Sequence, residues 1–277
     1  MLIYGDTELR YKVPDFLKID CKKVFSLITD FIKTKVEEAK ARGIVMGLSG
    51  GTDSTVTAKL AVEALGRDNV LVLIMPEVES SPEDIKDAVE YAEMLGLNYK
   101  RIEITGIVES VLKSCGDDYY SAPRIAKGNV KARARMIVLY YFANKMNRLV
   151  LGTGNKSEIL LGYFTKYGDG GVDLLPLGDL FKSQVRLLGD FLELPEKLVW
   201  KSPSPGLWPG HKAAEELGAT YEVIDPILYL FEKGRSSDEI AKELKTERSL
   251  VDRIFQMVRG SEHKRRMPPI CRITQSC

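Results

Sequence analysis

The sequence predicts an α/β fold, a doubly wound parallel sheet in a three-layer sandwich with a helical C-terminal extension, and two observations carry that expectation. Short apolar, β-rich runs alternate with helical stretches, the pattern of right-handed crossovers onto a parallel sheet. A glycine pair, Gly50-Gly51, lies between the first apolar run and a helical pattern, giving the order strand, tight turn, helix.

The elements follow in order. Val24, Leu27, Ile28, Phe31, Ile32 and Val36 recur at three-to-four spacing, so an amphipathic helix is expected over about 22–41, packed on the sheet. Gly43 to Leu48 reads as the first strand, and Ser54 to Leu65 as a helix closed by Gly66. Strands are expected at Val70 to Met75, Tyr99 to Ile104 and Leu149 to Gly152, the last preceded by a long helix over about 129–147. Ser81-Pro82-Glu83-Asp84 starts a helix, with Ser81 capping and Pro82 at the first helical position. The segment 162–177, GYFTKYGDGGVDLLPL, is too rich in glycine for a regular element and reads as a functional loop, or as tight turns in which Asp169 bonds its own backbone. A helix from Lys182 to about Leu192 closes the sheet, Ser202 to Gly206 breaks regular structure, and short helices are expected at 236–244 and 247–258 before the basic run His263 to Arg266. One domain over 1–277 is expected, with its α/β core at about 43–192 and the helical part at about 212–277.

Composition narrows the partners. The 277 residues are 44% hydrophobic and 29% charged with a net charge of +1, so a full core is affordable and no overall basic footprint points to a nucleic-acid duplex. The apolar runs are far shorter than the ~20 residues that span a bilayer. The first residues, with Asp6, Glu8 and Arg10, lack a signal-peptide apolar region, so a cytoplasmic protein is expected. Cys21, Cys115, Cys271 and Cys277 are scattered, which argues against a zinc site or a disulfide framework.

The turn Ser49-Gly50-Gly51-Thr52-Asp53-Ser54 suits phosphate. Glycines let backbone amides approach an anion, and the helix start adds unpaired donors and positive potential. A P-loop would carry a lysine in the turn. This turn has none; it offers the hydroxyls of Ser49 and Ser54 and the carboxylate of Asp53, a set suited to pyrophosphate screened by a hard divalent cation. A plain strand-to-helix turn capped by Ser54 is the bland alternative. Ligands of open parallel sheets bind beyond the carboxyl ends of the strands where strand order reverses, so Asp53 and Glu158, each following a strand, are expected at one edge as Mg²⁺ ligands. Glu158 alone would read as a first-turn helix acid.

Taken together, SGGTDS (49–54), GNVKARARM (128–136), LVLGTGNKSE (149–158), FTKYGDGGVDLLPL (164–177), PSPGLW (203–208) and HKRR (263–266) closely resemble the ammonia-dependent NAD synthetases, over most of the chain. SGGxDS alone marks only the wider PP-loop group of ATP pyrophosphatases, with an adenine nucleotide alpha hydrolase-like, Rossmann-like fold; FTKYGDGG with the upstream KAR motif is far more specific. The resemblance implies a carbon–nitrogen ligase that adenylates the nicotinate carboxylate of deamido-NAD with ATP and Mg²⁺, then lets ammonia displace AMP to give NAD. It places the ATP phosphates on Gly47, Leu48, Ser49, Gly50, Gly51, Thr52, Asp53 and Ser54, with Thr153, Lys182 and Ser204 completing the ATP site. Mg²⁺ falls to Asp53 and Glu158, and deamido-NAD to Asn129, Arg133, Lys166, Asp173, His263 and Lys264. Lys182 is expected to counter charge on the phosphates, and Asp169 to bind ammonium and accept its proton. The resemblance also implies a homodimer with the dinucleotide site across the interface on the long helix, where Val130, Met136, Ile137 and Tyr140 suit either an interface or a core.

Two departures stand out. Where the family often reads Gly-Gln-Thr-Asp-Glu after the GLW motif, this chain has Gly210-His211-Lys212-Ala213-Ala214. Thr52 stands where Ile or Gln is frequent, at a position expected to contribute mainly backbone. The length leaves no room for the amidase domain of a glutamine-dependent version. The remaining alternatives are a PP-loop ATP pyrophosphatase acting on a tRNA uridine or a purine nucleotide, and a nucleotide-binding sensor without turnover.

Overall fold

Helix α1 (Cys21–Glu38) opens the ordered core, its N-terminus capped by the Asp20 carboxylate, which accepts from the Lys23 amide at 3.1 Å. The structure, a computed structural model, describes residues 13–271 and residue 273; Asp6, Glu8, Arg10 and Cys277 lie outside the described residues. Strand β1 (Ile44–Gly47) leads through the glycine turn into α2 (Thr52–Leu65). β2 (Val70–Ile74), α3 (Pro82–Met94), β3 (Asn98–Arg101), α4 (Thr105–Ser114), α5 (Arg124–Met146) and β4 (Leu149–Val150) complete the alternation. As expected, Ser81 caps α3, accepting from the Asp84 amide at 3.3 Å.

All strand pairs are parallel and the order is β3-β2-β1-β4. The chain builds outward from β1 in one direction, then returns to add β4 on β1's other side. The crevice between the carboxyl ends of β1 and β4 is therefore the point where strand order reverses, where open α/β sheets hold ligands.

Period-two side-chain alternation sorts the strands onto two apolar layers. Ile44 and Met46 join Val70, Val72 and Ile74 beneath α1, α2 and α7 (Lys182–Phe191), whereas Val45, Leu71 and Leu73 face α4 and α5. Every residue of β2 is buried, the signature of a strand covered on both faces. On α1 the periodic stripe divides: Ile28, Ile32 and Val36 are buried, while Leu27 and Phe31 stay exposed.

A third apolar cluster belongs to the C-terminal helices α10 (Tyr221–Glu232), α11 (Ser237–Leu244) and α12 (Arg248–Gly260), with Leu161 and Phe181 reaching in from the α/β part. Between the two parts lie α6 (Lys156–Leu161), α7, and the short helices α8 (Glu196–Val199) and α9 (Ala213–Leu217); α13 (Glu262–Arg265) carries the basic run. Among the described residues no helix is long and apolar enough to cross a membrane.

The first helix ends at Glu38 and not near 41, the second begins at Thr52 and not Ser54, the first strand is Ile44–Gly47, and three further boundaries differ near the site. The long helix begins at Arg124, not near 129, because Gly128, which lowers local helix propensity, is held in place by tertiary packing: a Cβ there would lie 3.3 Å from Leu207. The third strand spans Asn98–Arg101 and not 99–104, although Ile102 and Ile104 still donate to the carbonyls of Ile74 and Pro76 at 2.9 and 3.0 Å. The fourth strand is two residues long, and beyond it Leu151 bridges to Leu174, so the tail of the glycine-rich loop lies along the sheet.

Candidate active site

The turn after β1 is held from behind. Leu48 donates to the Leu73 carbonyl at 3.0 Å, keeping the chain on the sheet to the last moment. Gly50 then takes a positive φ of 77°, and a Cβ there would sit 2.5 Å from the Asp84 carbonyl oxygen, so the turn packs directly on the start of α3. Gly51, and not Ser54, is the N-cap of α2; Ser54 instead turns its hydroxyl inward, 3.1 Å from that of Ser49 and 3.3 Å from the Ser49 amide. Thr52 contributes more than backbone: its buried hydroxyl donates to the carbonyls of Leu198 and Val199, both at 3.1 Å, tying the turn to α8. Gly50→Ala is expected to destabilise the protein by roughly 1–3 kcal/mol and to weaken nucleotide binding, since strain and collision both fall on the turn. Thermal unfolding and ATP titration of the variant check this; unchanged ATP affinity would remove the turn from the site.

Asp53 stands in the first turn of α2, where the helix start favours an anion. Its carboxylate accepts from Asn155 Nδ2 at 3.0 Å and pairs with Lys182 Nζ at short range. Asn155 and Glu158 form a capping box at the start of α6: the Asn155 side chain accepts from the Glu158 amide at 3.0 Å, and the Glu158 carboxylate accepts from the Asn155 amide at 3.2 Å. Burial, and after it the charge of Asp53, push the Glu158 carboxyl well above the usual carboxylate range, against the opposing pull of Lys182. Glu158 is thus the first-turn helix acid, with Asp53 as a neighbouring charge. Two neighbouring oxygen donors whose negative charges disfavour each other fit a hard divalent cation, which takes carboxylate ligands and completes its shell from phosphates and water. Among the described residues no group of three or more His, Cys, Asp or Glu is arranged around a metal position, so a cation here would rest on this pair.

These residues line a cavity of about 640 Å³ over the carboxyl edge of the sheet. Gly47, Leu48, Ser49, Gly51, Thr52 and Ser54 form its floor near Asp53. Thr153 and Glu158 come from the β4 side, with Lys182 from α7. Ser204 enters from the loop after α8; its hydroxyl donates to the His211 carbonyl at 2.5 Å. At the far end are Asn129, Asp169 and Lys264. Asn129 accepts from the Thr165 hydroxyl at 2.7 Å, and Asp169 accepts from the Thr165 amide at 2.8 Å, so the loop is also the self-bonded turn its glycines suggested. Lys264 donates to the carbonyls of Gly162 and Phe164 at 2.6 and 2.8 Å.

Four expected substrate residues lie outside this cavity's wall. Lys166 Nζ donates to the His263 carbonyl at 2.7 Å, and Arg133 reaches the Lys166 carbonyl at 3.3 Å, which groups these three on an outer face beside α5. Asp173 accepts from the Tyr140 hydroxyl at 2.9 Å and from the Val150 amide at 2.7 Å, a bracing role at the end of β4.

Among the residues sequence reasoning missed, Arg135 and Lys201 line the cavity and Asn155 braces Asp53. Asn155 had a local signal, the Asn-x-x-Glu capping pattern. Arg135, on α5 and donating to the Met75 carbonyl at 3.1 Å, had none that set it apart from Arg133. Lys201 pairs with Asp84 and Asp87 at 2.6 and 2.7 Å and lies 3.4 Å from the Gly50 carbonyl, partners that no local pattern links to it.

The altered stretch at 210–214 has a structure of its own. His211 stacks on Trp208 with ring centroids 3.4 Å apart and an interplanar angle of 14°, and its Nε2 lies 2.8 Å from Glu216 and 3.2 Å from the Tyr163 hydroxyl. An aromatic clasp, with His211 buried and Trp208 half-buried, thus holds the loop over the cavity.

A lysine-free glycine turn at the reversal point of a parallel sheet, with Asp53, Glu158 and Lys182 gathered in front of it, defines a PP-loop protein of the Rossmann-like α/β type. Comparison with known proteins narrows this further. The chain belongs to the NAD synthase family, whose profile matches residues 24–268. It is 51% identical over 263 residues to the NH(3)-dependent NAD(+) synthetase of Hyperthermus butylicus, covering 94% of each chain. Among solved structures, NH3-dependent NAD synthetase from Campylobacter jejuni, in complex with the nitrate ion, superposes with a TM-score of 0.77 at 33% identity, covering 92% of this chain and 100% of that one. NMN synthetase from Francisella tularensis gives 0.80 at 35% identity, covering 92% and 99%.

Proposed function

We propose that this chain converts deamido-NAD, ATP and ammonia to NAD, AMP and pyrophosphate, working as an NH3-dependent NAD synthetase. The observation that carries the site assignment is the meeting of Asp53, Asn155 and Lys182, from three separate elements, in front of the glycine turn.

A carboxylate is a poor acyl donor because its leaving group would be oxide. Transfer of AMP supplies a stable leaving group and divides the difficult step in two. In the first, a nicotinate carboxylate oxygen attacks the α-phosphorus of ATP and the bond to the β-phosphate oxygen breaks. The turn amides with Ser49 and Ser54 hold the departing pyrophosphate, and Lys182 counters charge building on the α-phosphate. Asp53 and Glu158 would hold Mg²⁺, which supplies charge neutralisation between the phosphates when bound. In the second step ammonia attacks the acyl carbon, the bond to AMP oxygen breaks, and Asp169 takes the proton released from ammonium.

The outer cluster of Arg133, Lys166 and His263 offers cations and donors for the rest of the dinucleotide. Ile137 on α5 is 59% exposed beside that cluster, whereas Val130 and Tyr140 pack toward the sheet. This arrangement supports a homodimer whose interface completes the dinucleotide site. A single domain over 1–277 and a cytoplasmic location accord with this reading.

Release of AMP and pyrophosphate is expected only when deamido-NAD and ammonia are both present. An assay omitting each substrate in turn, with a further arm offering the acid mononucleotide in place of the dinucleotide, checks it. ATP hydrolysis equally fast without deamido-NAD, or none at all, rules out the proposal.

A further inference from the structure

Asp225 is a fully buried carboxylate on α10, and no ion pair holds it among the described residues. Its Oδ2 accepts from the Ser183 amide at 2.7 Å, and its Oδ1 accepts from the Ser157 hydroxyl at 2.6 Å. The same Ser157 oxygen accepts from the Lys182 amide at 2.9 Å. One side chain from the helical part therefore grips the first turn of α7, which begins with Lys182, and the first turn of α6, which carries Glu158 one residue after Ser157.

Burying an anion without a cation is costly, and an apolar side chain of similar size would make a more stable core. Burial pushes the Asp225 carboxyl up to about 6, with the serine donors pulling the other way. One backbone amide at a helix start and one hydroxyl recover part of that cost. What the arrangement secures is register: the first turns of α6 and α7, joined by the Ser157–Lys182 bond, are both fixed by Asp225, and both turns carry a group set against Asp53.

We propose that Asp225 is a positioning residue, which sets Lys182 and Glu158 against Asp53 by holding the first turns of α7 and α6 together through Ser157. The inference rests on the assignment of Lys182 and Glu158 to the nucleotide site.

The test compares Asp225→Asn, Ser157→Ala and Lys182→Met, together with the double variant of Asp225 and Lys182. Asp225→Asn is expected to lower kcat by about tenfold while KM for deamido-NAD moves less than about threefold, measured well below the unfolding midpoint. In the Lys182→Met background the same change is expected to add less than about twofold, because the group it positions is gone. Ile240→Ala, a cavity in the same helical core, controls for instability: it is expected to lower the melting temperature and leave kcat unchanged. Peptides covering 156–160 and 181–185 are expected to exchange amide hydrogen faster in Asp225→Asn, with β1 unaffected. Should Asp225→Asn fail to fold, Ser157→Ala carries the same comparison. Wild-type kcat in Asp225→Asn with an inactive Lys182→Met, or a full multiplicative loss in the double variant, overturns the positioning role. Full activity of Lys182→Met overturns the site assignment itself, and the inference with it.

Discussion

Asp53→Asn is expected to lower kcat by roughly a thousandfold while the protein stays folded. The substitution keeps the shape and the hydrogen bond with Asn155 within reach of an amide, but removes the charge that Lys182 pairs with and one of the two neighbouring carboxylates of the crevice. Lys182 is 3% exposed, so its unpaired ammonium adds a stability cost of about 1–3 kcal/mol. Steady-state kinetics at saturating ATP and Mg²⁺, with circular dichroism to confirm the fold, provide the check. Activity within tenfold of the parent would take the metal and Lys182 arrangement out of the mechanism. A compensating demand for more Mg²⁺ is a further expected sign.

Lys131→Met is expected to destabilise the protein by about 3–5 kcal/mol, the cost of leaving a buried partner charge unpaired. Lys131 and Glu77 are both fully buried, 2.9 Å apart. The same ammonium reaches Glu79 at 2.6 Å and the Leu207 carbonyl at 3.0 Å, while the Tyr119 hydroxyl donates to Glu77. Lys127 completes the network on Glu79 at 3.1 Å. For a chain of this size the loss corresponds to a fall in melting temperature of roughly 10 °C. Pairing the change with Glu77→Gln is expected to recover a substantial part of the loss, since the orphaned carboxylate goes with it. Thermal and urea unfolding of both variants decide the matter; a single variant within 1 kcal/mol of the parent would show that the network carries little. Because Lys131 also holds Leu207, faster proteolysis of the 203–211 loop is expected in the same variant.

Much of the scaffold was legible before any coordinates. β1, the glycine turn and α2 announce themselves because a covered strand, a positive-φ glycine and a helix start each have a local chemical cause. Ser81 at the start of α3 is visible for the same reason. The motifs around Asp53 and Glu158 pointed to one edge of the sheet, and the order β3-β2-β1-β4 puts them there. Asn155 could have been found from its capping pattern, whereas its bond to Asp53 spans 102 residues and has no local trace.

What the amino-acid sequence determined by itself was the parallel sheet, the phosphate-suited turn and the chemical family, because strand periodicity, glycine conformation and motif spacing are properties of neighbours along the chain. Only the tertiary structure decided which polar groups face the cavity. Arg133 and Arg135 are two positions apart, about 200° around the helix, so one points outward and the other in. Nor does any pattern near Lys127, Lys131 or Asp225 reveal that these charged side chains are buried, since their partners come from distant segments. A charge can leave water only where a fold brings it donors or countercharge, and that supply is set by the packing of whole elements.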